Sequence, residues 1–130
     1  SVYEGLKHVT SDYVMIHDGA RPFVKKDLLD RLVEGMEEHK AVLAMVLCKD
    51  TIKRVKDGKV VETLIRSELM QAQTPQAFDT VLIRNAYREA IENNIQATDD
   101  ASMLELQGKD VYVVEGDYDN IKITTKEDLK

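Results

Sequence analysis

An ordered alternation near the start of the chain does most to narrow the fold. The apolar run Tyr13-Val14-Met15-Ile16 breaks into the polar turn His17-Asp18-Gly19-Ala20-Arg21-Pro22-Phe23. A helix-spaced stretch follows from Lys26 to His39, and a second apolar run occupies Ala41 to Leu47. Short apolar runs bounded by turn formers read as buried strands, whereas Leu28, Leu29, Leu32, Val33 and Met36 recur at the spacing of one helix face. Strand, turn, helix and strand in that order predict an α/β fold.

The turn carries the first candidate chemistry. Gly19 lets the backbone fold tightly, and Pro22 blocks simple continuation of either strand or helix. Asp18 and Arg21 are thereby placed at a strand's carboxyl end, where an open parallel sheet keeps its ligand crevice. A surface turn whose Asp and Arg pair with each other fits this octet equally well.

Further along, Thr51-Ile52-Lys53-Arg54-Val55 and Val60-Val61-Glu62-Thr63-Leu64 flank Asp57-Gly58, a strong hairpin signal. Gln73-Thr74-Pro75-Gln76 reads as a turn fixed by Pro75, with Gln76 bonded to it and a positioning role. Asp79 to Asn93 has the spacing of an amphipathic helix buried through Leu82, Ile83, Ala86, Ala90 and Ile91. Thr98 is suited to cap a short helix over Asp99 to Leu106 that ends at Gly108. Val111 to Val114 reads as a buried strand and Gly116 to Asn120 as a polar loop. In Ile121-Lys122-Ile123 the alternation turns Lys122 away from its apolar neighbours. Val2 to Val9 reads as the end of a helix, and Thr125 to Lys130 as the start of another.

With 130 residues, 43% of them hydrophobic and 32% charged, the chain has room for a single domain spanning residues 1–130 with a real core. It contains no apolar stretch of bilayer length and no signal-peptide pattern, so a soluble, cytoplasmic protein is expected, with no membrane partner. A formal net charge of −6 argues against coating nucleic acid and leaves small anionic substrates open. The local exception is residues 49–66, where Lys49, Lys53, Arg54, Lys56, Lys59 and Arg66 outnumber Asp50, Asp57 and Glu62. A solvated hairpin face is the ordinary meaning of such an island. Cys48 has no partner for an internal disulfide and reads as a buried, inert thiol. His8, His17 and His39 lack zinc-ligand spacing. The scattered glycines form neither a dinucleotide fingerprint nor a phosphate-cradling loop.

The octet around Asp18 resembles the central motif of the bacterial 2-C-methyl-D-erythritol 4-phosphate cytidylyltransferases. Gln73-Thr74-Pro75-Gln76-Ala77-Phe78, Thr98-Asp99-Asp100-Ala101-Ser102 and Gly116-Asp117-Tyr118-Asp119-Asn120-Ile121-Lys122-Ile123-Thr124 match three further family motifs in the family's order. The resemblance implies a Rossmann-like nucleotidyltransferase sheet, here partial, with a projecting β-hairpin dimerisation arm at about residues 49–66. It also implies transfer of a cytidylyl group from CTP to methylerythritol phosphate with release of pyrophosphate, in non-mevalonate isoprenoid precursor synthesis. Such a reaction between two anions needs positive charge and a metal ion more than an acid-base pair.

By this resemblance Lys122 stabilises charge at the α-phosphate. Asp18 is the motif aspartate, facing either the metal-triphosphate, with Mg²⁺ or another divalent cation carried by CTP, or the polyol hydroxyls. Gly19 leaves room for the nucleotide, and Ser1 is the tail of a nucleotide-binding motif. Thr51, Arg66, Thr74 and Thr98 correspond to positions around the methylerythritol phosphate. Arg21 and Asp119 support the site from behind, and Asp100 is a helix N-terminal charge. The family's arm reaches across a homodimer, so Thr51 and Arg66 would complete the neighbour's site.

Members of the family begin with a strand and a Gly-rich loop for the triphosphate that has no counterpart before Ser1. The chain is therefore expected to correspond to the C-terminal part of the enzyme and to be inactive alone. Two other readings stay open: a pentitol-phosphate (ribitol 5-phosphate) cytidylyltransferase, and a non-catalytic dimerisation or sugar-phosphate-binding module.

Overall fold

The computed structural model of the chain describes residues 2–124. Ser1 and the helix start expected at Thr125 to Lys130 lie outside the described residues. The order is α1 (Val2–Leu6), β1 (Tyr13–Ile16), α2 (Lys26–Glu38), β2 (Ala41–Leu47), β3 (Lys53–Lys56), β4 (Lys59–Thr63), a 3-10 turn (Arg66–Glu68), β5 (Met70–Asp79), α3 (Thr80–Glu92), α4 (Asp100–Leu106) and β6 (Tyr112–Glu115).

Four strands form the main sheet in the order β1-β5-β2-β6. β5 runs antiparallel to both β1 and β2, while β6 is parallel to β2. The sheet is thus mixed, which corrects the expected parallel one. β1, β2 and β6 nevertheless point the same way, so the loops that follow them emerge at one end of the sheet, beside the first half of β5.

The period-two alternation of β2 divides the core. Ala41 and Leu43 face one layer with Phe78, Ile83, Ala86, Ala90 and Leu104, under α1, α3 and α4. Val42 and Ala44 face the other with Leu28, Leu32, Met36, Ala77 and Val114, under α2. A three-layer α/β/α sandwich results.

Several expectations about burial need correcting. β1 is an edge strand, not a buried one, with Tyr13 and Met15 exposed. β6, the opposite edge, buries only Val114, and Tyr112 and Val113 face outward. Val33 on α2 and Ile91 on α3 are exposed as well. Cys48 is half-buried rather than enclosed. Residues 121–123 form no strand.

Gln73 to Gln76 does not make a turn but lies inside the ten-residue strand β5, with a cis Thr74-Pro75 peptide. Pro75 is tolerated there because the β2–β5 register shifts between Leu43 and Met45, opposite residues 72–76, so its missing N–H falls at an irregularity of the ladder. The α4 cap is Asp99, not Thr98: its side chain accepts from Ser102 N. α3 is capped in the same way by Asp79, which accepts from Leu82 N.

The hairpin forms where expected. β3 and β4 pair antiparallel around Asp57 and Gly58, whose φ angles of 53° and 74° suit a tight turn that follows the strand twist. Every residue of both strands is exposed, including Val55, Val60 and Val61. A two-stranded ribbon of this kind has little stability of its own.

Candidate active site

The polar loops at the carboxyl ends of β1 and β6 meet over the first half of β5. After β1 the chain turns at once, with Arg21 N donating to Asp18 O at 3.0 Å. The Asp18 carboxylate accepts from Ala20 N at 2.9 Å. Its other oxygen lies 3.4 Å from the Lys122 ammonium. The Ala20 N–H holds the Asp18 carboxyl below the ordinary aspartate range; partial burial opposes this, and Lys122 and Arg21 reinforce it.

Two backbone straps fix Lys122 over this turn. The Arg21 guanidinium donates to Asn120 O at 2.6 Å on one side, and Ile123 N donates to Ala20 O at 2.8 Å on the other. Lys122 is thus bracketed by residues tied to the Asp18 turn, and Arg21 makes its bond to the loop backbone rather than to Asp18.

β5 braces both loops. Thr74 Oγ1 accepts from Asp18 N at 3.0 Å and lies 3.0 Å from His17 Nδ1. His17 Nε2 is 2.8 Å from Arg21 O, which can only accept, so Nε2 carries a hydrogen. In a neutral His17 the Nδ1 atom must then accept from the Thr74 hydroxyl. The Thr74 hydrogen is used internally in that arrangement and would have to leave His17 to serve a substrate oxygen.

Thr98 belongs to a neighbouring cluster. Its hydroxyl is 3.1 Å from Ser102 Oγ, and Gln76 Nε2 donates to Asp99 at 3.0 Å while Gln76 Oε1 accepts from Ala101 N at 3.0 Å. Burial pushes the Asp99 carboxyl upward, but hydrogen bonds from Ser102 and Gln76 outweigh it and keep the group below its usual range. Asp119 turns away from Lys122 and pairs with Lys25 at 2.9 Å. This pair is exposed and contributes little to stability.

Thr51 and Arg66 lie at the two roots of the hairpin. The Arg66 guanidinium donates to Lys49 O at 3.0 Å. Among the described residues neither of them bonds to Asp18 or Lys122. The arm is nonetheless tied to the same end of the sheet: Lys49 Nζ sits 3.9 Å from the centre of the Tyr118 ring, and Tyr118 OH donates to Leu47 O at 2.8 Å.

Gly19 does not carry the constraint expected of it. Its φ is not in the left-handed region, and a Cβ there would meet nothing within 4 Å. The chain's own packing would accept a side chain at Gly19, and the open space lies on the turn that holds Asp18.

No group of three or more His, Cys, Asp or Glu side chains able to hold a metal occurs among the described residues. A single carboxylate with an ammonium beside it is a poor independent metal site. It does suit a magnesium ion held mainly by a triphosphate, for which one carboxylate oxygen is a usual protein contribution.

Sequence reasoning missed His17 and Asn120 as parts of this arrangement, and it gave Gln73 to Gln76 a positioning role as a turn without singling out Gln73. Gln73 and Gln76 sit in a strand whose neighbours are apolar, and a pair of amides in such a segment is the signal that could have marked a polar brace.

Comparison with known proteins points to one family. The sequence profile described as IspD, 2-C-methyl-D-erythritol 4-phosphate cytidylyltransferase, matches residues 1–130. A protein of that name from Bacillus pumilus is 50% identical over 99% of this chain and 57% of its own length. One from Clostridium beijerinckii is 52% identical over 99% of this chain and 58% of its own. The crystal structure of 4-diphosphocytidyl-2C-methyl-D-erythritol synthase from Anaerococcus prevotii superimposes with a TM-score of 0.92 at 40% identity, covering 99% of this chain and 61% of that one. The chain thus spans somewhat over half the length of these relatives. With its four motifs placed on one sheet end, and a match from first residue to last, the chain belongs to the 2-C-methyl-D-erythritol 4-phosphate cytidylyltransferase family.

Proposed function

We propose that the protein carrying this sequence transfers a cytidylyl group from CTP to 2-C-methyl-D-erythritol 4-phosphate. A phosphate oxygen of the acceptor attacks the α-phosphorus of CTP, the bond from that phosphorus to the bridging oxygen breaks, and pyrophosphate leaves with the electron pair. The observation that carries this reading, beside the family match, is the Lys122–Asp18 pair at 3.4 Å, held between two strapped loops at the carboxyl ends of β1 and β6.

Each residue then has a physical task. Lys122 compensates the negative charge that grows around the α-phosphorus, and its straps mean that little reorganisation is needed as the charge develops. Asp18 orients Lys122 and offers an oxygen to magnesium carried by CTP or to a polyol hydroxyl; when bound, the ion neutralises the triphosphate. Gly19 keeps the nucleotide side of the turn open, and Ser1 belongs to the nucleotide-binding part. Thr74 and Thr98 face the acceptor. Arg21 and Asp119 support the two loops. Incubating the full-length protein with CTP, magnesium and either methylerythritol phosphate or ribitol 5-phosphate tests the reading. Pyrophosphate release with the first acceptor is expected, and release with ribitol 5-phosphate alone would overturn the assignment.

The exposed basic ribbon supports a homodimer in which the arm crosses to the neighbouring subunit. Arg66 and Thr51 then recognise the acceptor phosphate in that subunit's site. Arg66→Ala is expected to weaken methylerythritol phosphate by about 1.5–3 kcal/mol, as for other lost charge-assisted contacts, with a smaller effect on kcat. Mixing Arg66→Ala and Lys122→Ala proteins should restore activity, because one site of the heterodimer then lacks both changes. Heterodimers without recovered activity would place Arg66 in its own subunit's site. A soluble cytoplasmic setting completes the proposal, and among the described residues no helix is long and apolar enough to cross a membrane.

A further inference from the structure

The loop that carries Lys122 owes its position to two buried amides that lie outside the reacting groups. Gln73, only 6% exposed, clasps the backbone of Asp117 at both ends: Nε2 donates to Asp117 O at 2.9 Å, and Oε1 accepts from Asp117 N at 3.3 Å. Asn120 is fully buried and donates from Nδ2 to Thr74 O at 2.7 Å, with Gln73 Oε1 a further 3.4 Å acceptor. The clasp needs a glycine beneath it. A Cβ on Gly116 would fall 2.5 Å from Gln73 Oε1 and 3.1 Å from Met45 O. Thr74, the next residue of β5, bonds the backbone of Asp18. One short stretch of β5 therefore holds the Asp18 turn through a hydroxyl and the Lys122 loop through an amide.

We propose that Gln73 and Asn120 are positioning residues for cytidylyl transfer, fixing the Lys122 loop in register with Asp18 while touching no substrate. Their bonds all end on residues 73–74 and 117–120, two or more positions before Lys122. Their effect must pass along the backbone that Arg21 and Ala20 grip on either side of the lysine. Asn120 Oδ1 is buried without a partner, so the hold rests on the Asn120 amide donor and on both ends of the Gln73 amide, and moving the loop would strip these buried groups of their bonds. The inference rests on the role proposed for Lys122.

The test uses the full-length enzyme. Gln73→Met keeps the volume and removes the clasp. It is expected to lower kcat about tenfold, with KM for CTP and for methylerythritol phosphate changed by less than about threefold. In a Lys122→Ala background the same substitution should cost less than about twofold more, since a residue acting through Lys122 has nothing left to position. Asn120→Asp, which removes the donor to Thr74 O, should show the same split and the same loss of effect. If Gln73→Met does not fold, Gln73→Glu keeps the acceptor for Asp117 N and removes the donor, and should behave alike with a smaller loss. An unchanged kcat, or an equal loss in both backgrounds, would overturn the proposal. Failure of the Lys122 role itself is visible separately, as an intact kcat in Lys122→Ala alone.

Discussion

Lys122→Ala in the full-length enzyme is expected to lower kcat by about a hundredfold or more, about 2.7 kcal/mol of barrier, while KM for either substrate changes far less. The expectation follows from placement. The ammonium lies 3.4 Å from Asp18, and the backbone on both sides of Lys122 is tied to the Asp18–Arg21 turn. Under the proposed role, a charge held this way is already in place when negative charge accumulates on the transferring phosphate, so its contribution falls on the transition state. Lys26→Ala supplies the control: Lys26 is a highly exposed lysine paired with Asp30 on α2, and its loss should leave kcat within about twofold. A Lys122→Ala enzyme within about threefold of the parent would remove Lys122 from the chemistry.

Much of this candidate site was legible in the sequence because its polar residues sit where strands end. Asp18 follows an apolar run at the first polar turn, and Lys122 follows a second apolar run and a Gly-containing loop. The structure places the two side by side. The Asp57-Gly58 hairpin was legible for a different reason, since a two-residue turn with both φ angles positive admits few residue types. Periodicity could not show which strand faces lack a covering layer, so β1 and β6 read as buried although both are edges. The sheet's mixed direction was hidden by Pro75, which suggests a turn in isolation and is accommodated only because the opposing strand shifts register there. Asp99 took the cap expected of Thr98 because its carboxylate reaches Ser102 N while also accepting from Gln76, a long-range partner that no local pattern contains.

β5 is the element in which fold and site are joined, and its two halves should separate under mutation. Phe78 has no exposed surface and packs with Leu43, Ile83 and Leu104 under α3 and α4; in the sheet it lies opposite Val14 on one side and Ala41 on the other. Phe78→Ala is expected to destabilise the full-length protein by about 3–5 kcal/mol, the usual range for a fully buried aromatic that leaves a cavity. That is a large share of the roughly 5–15 kcal/mol available to a folded domain. Urea unfolding should show a lower midpoint at an unchanged slope, because the surface exposed on unfolding hardly changes. The residues that brace the two loops of the candidate site, Gln73 and Thr74, bond in the other direction, toward the polar end of the sheet. At a temperature where Phe78→Ala remains folded, kcat should therefore stay within about threefold of the parent. A loss of kcat comparable with that of Gln73→Met in the folded variant would mean that the core under α3 and α4 sets the geometry of the Lys122 loop. A destabilisation under about 1 kcal/mol would mean that the neighbouring apolar side chains close the cavity, and that Phe78 does not anchor the sheet.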